Sequence, residues 1–143
     1  MRYVIYGKIF VAVCMLQLFS APLAADSGGI QIRELVRTER SWDGNLLPAY
    51  PEGQPEIRVL SIVIAPGEKL PIHRHPVINA GYLLSGHLRV HTLDGRVLDL
   101  QAGETVVEVV DVWHWGESLG EDPAHIIVFY AGRADVPITT LRE

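Results

Sequence analysis

Residues 57–130 form a succession of short β-branched runs cut at close intervals by Gly, Pro and Asp, and this rhythm constrains the fold more than anything else in the chain. Residues 57–64 are rich in Val, Ile and Leu and end at Ala65-Pro66-Gly67, which reads as a strand followed by a turn. Residues 81–85 and 88–93 are strands on either side of Gly86; Asp94-Gly95 is a hairpin turn, and residues 96–100 return from it. Residues 105–110 are apolar and β-branched apart from Glu108, and residues 124–130 are the last clear strand. Residues 30–40 are ambiguous, because Ile30 and Ile32 alternate while Ile32, Leu35 and Val36 have helical spacing. Asp43-Gly44-Asn45 marks a turn, and residues 46–55, with Pro48, Pro51 and Pro55, read as an irregular connection. Many short strands between such turns imply an all-β antiparallel sandwich or barrel. Its core is expected to include Ile62, Ile64, Leu83, Leu88, Val90, Val106 and Val128.

The first residues stand apart from this pattern. Arg2 and Lys8 precede an apolar run over residues 9–19, and Ser20-Ala21-Pro22-Leu23-Ala24-Ala25 follows. A basic start, a short apolar run and a small-residue exit make a secretory signal peptide over residues 1–25, cleaved after Ala24 or Ala25. The run is short for a membrane span and ends at Pro22, and Cys14 follows Val13 inside the run, which speaks against a retained anchor and against a lipoprotein. Residues 26–143 then form a single domain, expected in the periplasm or secreted. Cys14 is the sole cysteine, so the mature domain has neither disulfide nor thiol ligand. Without Arg2 and Lys8 the formal charge of −5 becomes about −7, and no Lys/Arg cluster appears. Nucleic acid and a stable membrane anchor are therefore not expected partners.

His73 and His75 lie two positions apart after the turn at Gly67. On a strand, alternate side chains share a face, so their imidazoles can converge. Neutral imidazole is the commonest side-chain ligand of mid-sized divalent metals. His114, in Val112-Trp113-His114-Trp115-Gly116, follows a second strand-like run. Three histidines from two strands can make an open metal site with Nε2 ligation.

This spacing resembles the cupins. Their first motif is G-x5-H-x-H-x3,4-E-x6-G, and Gly67, His73, His75 and Gly86 fall in its register, with Asn79 in the glutamate position. Their second motif is G-x5-P-x-G-x2-H-x3-N, matched by Gly103 and His114, while Val109, Asp111 and Ser118 replace the proline, glycine and asparagine. The resemblance implies a double-stranded β-helix, or jelly-roll barrel, with a metal near one mouth. It makes His73, His75 and His114 the ligands, puts Asn79 in the fourth place and implies Fe, Mn, Ni or Zn as the divalent ion. Family activities include dioxygenases, isomerases, epimerases, decarboxylases and lyases, so membership alone does not give a reaction. A neutral Asn79 carbonyl leaves a divalent site near +2, about one unit above a glutamate site, which favours an anionic ligand. The other reading of Asn79 is a hydrogen bond to water or backbone.

Other polar residues carry simpler expectations. Arg74 points outward between the two histidines; His87, Arg89 and His91 share the face opposite Leu88 and Val90 and are expected in solvent; His125 is expected solvated or capping. Trp113 and Trp115 should point opposite to His114 and pack, the alternative being stacking on a substrate; Tyr82 packs, Glu104 is a surface group, and Arg133 is a surface group or a grip for an anionic substrate. Glu108 either faces the pocket as a general base or emerges at an edge. Two classes of function remain. One is an exported metalloenzyme, dioxygenase-, lyase- or isomerase-like, acting on a small anionic or enolic molecule. The other is a non-catalytic metal- or small-molecule-binding protein with a degenerate site. The oligomeric state is left open, the resemblance to small cupins implying at most a homodimer through sheet edges.

Overall fold

The computed structural model describes residues 29–143, so the signal peptide expected over residues 1–25 lies outside the described residues. Two compact units are distinguished, Met1–Ile32 and Arg33–Glu143. Of the first, residues 29–32 are described and carry no strand. The second unit is built of strands, and no helix occurs among the described residues.

The strands are β1 (Pro55–Ile64), β2 (His73–Arg74), β3 (Ile78–Ser85), β4 (His87–Thr92), β5 (Val97–Gln101), β6 (Thr105–Val107), β7 (His114–Leu119), β8 (Ala124–Arg133) and β9 (Thr140–Leu141). They form a four-stranded sheet in the order β1-β8-β3-β6 and a five-stranded sheet in the order β5-β4-β7-β2-β9. Apart from the β4–β5 hairpin, consecutive strands switch between sheets, which is what makes this a jelly roll rather than a meander. The strand ladders are antiparallel, and β1 pairs with β8 along its whole length, from Pro55 opposite Arg133 to Ile64 opposite Ala124.

Period-two alternation sets the inner faces. In β4, Leu88, Val90 and Thr92 are buried while His87, Arg89 and His91 are half-buried on the outer face. Ile64, Leu83, Val106, Ile126, Val128 and Tyr130 from the first sheet meet Leu88, Val90 and Leu100 from the second in one core. Six of the seven core residues expected from the pattern are buried, and Ile62 is partly buried against the same cluster. Burying an aliphatic side chain of this size contributes about 1.5–3 kcal/mol. The outer face of β1 departs from the usual polar-out rule, because Ile57, Val59 and Val63 are all exposed.

Between β3 and β4 the chain turns at Gly86 with φ +78°, where a Cβ would stand 2.4 Å from the Pro123 carbonyl oxygen. Only glycine fits there. The strand expected over residues 105–110 is shorter than its composition suggests. β6 ends at Val107, because Val110 forms a parallel bridge to His75 and Asp111 takes φ +57°. Asp111 occupies the position of the second-motif glycine and keeps its left-handed backbone, a conformation that Asp tolerates better than most residues. Its amide donates to the His75 carbonyl oxygen at 2.8 Å, fixing this corner to the site.

Ser118, which stands where that motif has asparagine, is fully buried, and its hydroxyl oxygen accepts the Ala124 amide at 3.1 Å. Residues 30–40, ambiguous in sequence, form no helix or extended strand, only an isolated bridge from Arg40 to Leu46.

Candidate metal centre

β2 and β7 are neighbours in the second sheet, and their register sets His73 directly opposite His114. Opposed residues on one face of an antiparallel pair bring their side chains together. His75 lies two residues after His73, just beyond β2, and turns to the same side. All three imidazoles are buried. Their ring centroids are 4.4–5.0 Å apart, and one ring nitrogen from each lies within 4.8 Å of the others.

Each ring is oriented by its other nitrogen. The Nδ1 of His73 is 2.7 Å from the Pro71 carbonyl oxygen, that of His75 is 2.8 Å from the Ile138 carbonyl oxygen, and that of His114 is 2.8 Å from the Val112 carbonyl oxygen. A carbonyl oxygen can only accept, so Nδ1 carries the hydrogen in all three and Nε2 keeps a bare lone pair. Backbone carbonyls commonly fix metal-ligating histidines in this way. Burial also holds all three imidazoles below the usual histidine pKa, His75 to about 3, so the neutral form prevails. The further lowering of His75 comes from the other two imidazoles, while its carbonyl acceptor pulls the other way.

A cavity of about 50 Å³ opens beside these rings. Its walls are mostly apolar, including Ile64, Leu88, Val90 and Val128, and its polar lining consists of the three histidines, Asn79, Glu108 and Tyr130. No Lys or Arg is among the lining residues. Asn79 and Tyr130 face each other across the β3–β8 ladder. Asn79 is completely buried, and both its amide nitrogen and its amide oxygen lack a hydrogen-bond partner.

Glu108 follows β6 and also turns inward, so the structure takes the pocket-facing of the two readings of this residue. Its Oε2 is buried without a hydrogen-bond partner and stands 3.8 Å from His114 Nε2. Burial pushes its carboxyl up to about 7, against an opposing pull from His73. The Tyr130 ring packs edge-on to His75 at 5.3 Å. Burial and the nearby Glu108 charge push its phenol up to about 12, so it remains protonated at neutral pH.

These residues fit a divalent ion. Three bare imidazole lone pairs converge, and an orphaned carboxylate oxygen and an orphaned amide line the same small space. Buried polar groups seldom lack partners, so a cluster of them points to a missing one. A larger open hollow of about 490 Å³ beside Glu104 has no histidine in its lining.

The outer-face residues are bound to partners rather than simply solvated. His87 bonds Asp99, His91 bonds Glu117 and stacks on Trp115 at 4.1 Å, and His125 bonds the Ser61 hydroxyl. Arg74 points outward as expected and lies over the Trp113 ring at 5.0 Å. Arg133 is half-buried, with Asp135 and the Glu52 carbonyl oxygen as partners. Tyr130 and the backbone carbonyls that orient the rings, those of Pro71, Val112 and Ile138, escape the sequence reading. Tyr130 could have been found by extending the alternation of Ala124, Ile126 and Val128 down β8. The Ile138 carbonyl has no side-chain signature at all.

The family model described as Cupin domain matches residues 60–130. Among solved structures, a chain from the crystal structures of the DMSP lyases RdDddP and RnDddQII is 22% identical, with TM-score 0.53 over 61% of this chain and 44% of that one. The Lactobacillus farciminis oxalate decarboxylase formate complex is 21% identical, with TM-score 0.53 over 59% of this chain and 26% of that one. An oxalate oxidase is 24% identical, with TM-score 0.52 over 59% of this chain and 45% of that one. The chain thus spans less than half the length of each of these structures, and at such identity the likeness is one of fold. No curated protein sequence matches it.

Proposed function

The chain belongs to the cupin-domain family through residues 60–130, and on that footing we propose that it is a small metalloenzyme acting on a carboxylate- or enol-bearing small molecule. In this reading His73, His75 and His114 hold one divalent ion through Nε2, with the Asn79 carbonyl as a neutral donor beside them. The observation that carries it is the orientation of the three rings, each Nδ1 engaged by a backbone carbonyl and each Nε2 left bare. Imidazole suits iron, nickel and zinc, so a donor set dominated by three imidazoles favours such a metal over calcium or magnesium.

A bound divalent ion would polarise a ligand oxygen or acidify a bound water. The chain's own residues define what reaches it. The apolar walls exclude bulk water and strengthen electrostatic interactions inside. With no Lys or Arg in the lining, an anionic ligand has no protein cation to bind, so its charge must be met at the ion. The Tyr130 phenol, hydrogen-bonded to the Thr139 side chain, stays protonated and is not a base at neutral pH. The cavity admits a molecule of few atoms. Two of the similar structures are named for oxalate, a small carboxylate of suitable size.

The protein in this reading is exported, residues 1–25 being removed, and dimerises through the edge strand β1, whose exposed Ile57, Val59 and Val63 would be covered. N-terminal sequencing from a periplasmic or culture fraction tests the first point, and sedimentation the second. For the activity, the purified protein is loaded separately with Fe(II), Mn(II), Ni(II) and Zn(II) and assayed on oxalate and other small carboxylates. Turnover with one of the metals, abolished by His114→Ala, is the expected result. Tight metal and carboxylate binding without turnover would make this a binding protein and not an enzyme.

A further inference from the structure

The first-motif glutamate is absent from its position, yet the cavity does contain a carboxylate. Glu108 arrives from the neighbouring strand: its amide donates to the Asn79 carbonyl oxygen at 3.2 Å, which places the two residues side by side across the β3–β6 edge. Both side chains line the same cavity. Glu108 Oε2 faces His114 Nε2 at 3.8 Å, too far for a shared hydrogen. Two acceptors therefore point at the same space with nothing between them. A buried carboxylate oxygen without a hydrogen-bond partner, in a cavity without Lys or Arg, is costly unless a proton or a metal cation neutralises it. The set of three neutral imidazoles and one carboxylate is complementary to a divalent ion and leaves it about one positive charge.

We propose that Glu108 supplies the anionic donor of this centre, replacing from the adjacent strand the carboxylate that Asn79 cannot provide. The inference rests on the metal reading above. It changes one consequence of the sequence: a ligand in this site meets a residual charge near +1 rather than +2. Asn79 then stays a neutral group beside the ion, since a glutamate at both positions would crowd two negative charges into one small cavity.

The test is titration of Co(II) and Mn(II) into the purified protein and its variants, with the Co(II) absorption spectrum as a report on the donor set. Glu108→Gln keeps the shape and removes the charge. It is expected to lower affinity by at least about tenfold, the smaller end of what loss of even an outer-shell partner costs, and to change the Co(II) spectrum. The exchange variant Asn79→Glu with Glu108→Gln returns a carboxylate from the other strand and is expected to recover most of that affinity. Should Glu108→Gln fail to fold, Glu108→Asp, which keeps the charge but withdraws it by one methylene, is expected to show the same loss. Wild-type affinity and an unchanged spectrum in Glu108→Gln would overturn the proposal while leaving the three-histidine site standing. Absence of metal binding by the wild type would overturn that site and this inference together.

Discussion

His75 Nδ1 donates to the Ile138 carbonyl oxygen at 2.8 Å, so a segment 63 residues further along the chain holds a ring of the candidate metal centre. The same segment is tied along β2, where Thr140 and Leu141 pair with Arg74 and His73 and the Arg142 amide donates to the Ile72 carbonyl oxygen at 2.9 Å. Deleting residues 138–143 should therefore loosen His75 without dismantling the two sheets. Metal affinity is expected to fall about 10–100-fold, as for loss of an outer-shell partner, while far-UV circular dichroism remains that of a β protein. Unchanged affinity would show that the ring does not need its carbonyl.

Replacing His73, His75 or His114 singly by Ala should remove most bound metal and leave the barrel folded. The rings are not members of the hydrophobic core cluster, and the strands pair through backbone bonds that do not involve the imidazoles. Elemental analysis together with thermal unfolding separates loss of the ion from loss of the fold.

The metal-free domain should be destabilised by mild acid. The three imidazoles have folded pKa values below 6.5, His75 near 3, so between these values the unfolded chain binds more protons. Stability from this source is full above pH 6.5 and is lost as the pH falls toward 3. Glu108 acts in the opposite sense: raised from 4.5 to about 7, it favours the folded state increasingly as the pH falls from 7 to 4.5. The three imidazoles outnumber it, so the melting temperature of chelator-treated protein should fall from pH 6.5 to 5, and should fall more steeply in Glu108→Gln. A melting temperature that rises over this range would contradict the neutral-imidazole assignment.

Gly86→Ala should destabilise the domain by more than about 1 kcal/mol, because the turn requires a left-handed backbone there. The Pro123 carbonyl stands where the new methyl would go. Chemical denaturation measures the change, and near-wild-type stability would mean that the turn can shift.

The fold and the three histidines were legible because both are written in spacing. Alternation placed Leu88 and Val90 inside and His87 and His91 outside, and the interval from His73 to His75 fixed a shared face. Glu108 remained open because Val106, Val107, Val109 and Val110 surround it, and a run of valines has no polar phase to show which side is in. The true phase comes from the ladder, where Val106 pairs with Gly81 and Glu108 follows on the same inner face. The outer histidines were expected in solvent, yet sequence could not reveal Asp99 and Glu117 as their cross-strand partners without the register. The tail stayed hidden because its contribution is a backbone carbonyl and a two-residue strand, neither of which leaves a compositional trace.

The central claim is that His73, His75 and His114 bind one divalent ion. Metal content per chain in the purified protein, after loading and removal of excess, tests it most directly. One equivalent in the wild type, falling to near zero in His114→Ala, is the predicted result. No stoichiometric metal in the wild type under any loading condition, or a full equivalent retained by His114→Ala, would contradict it.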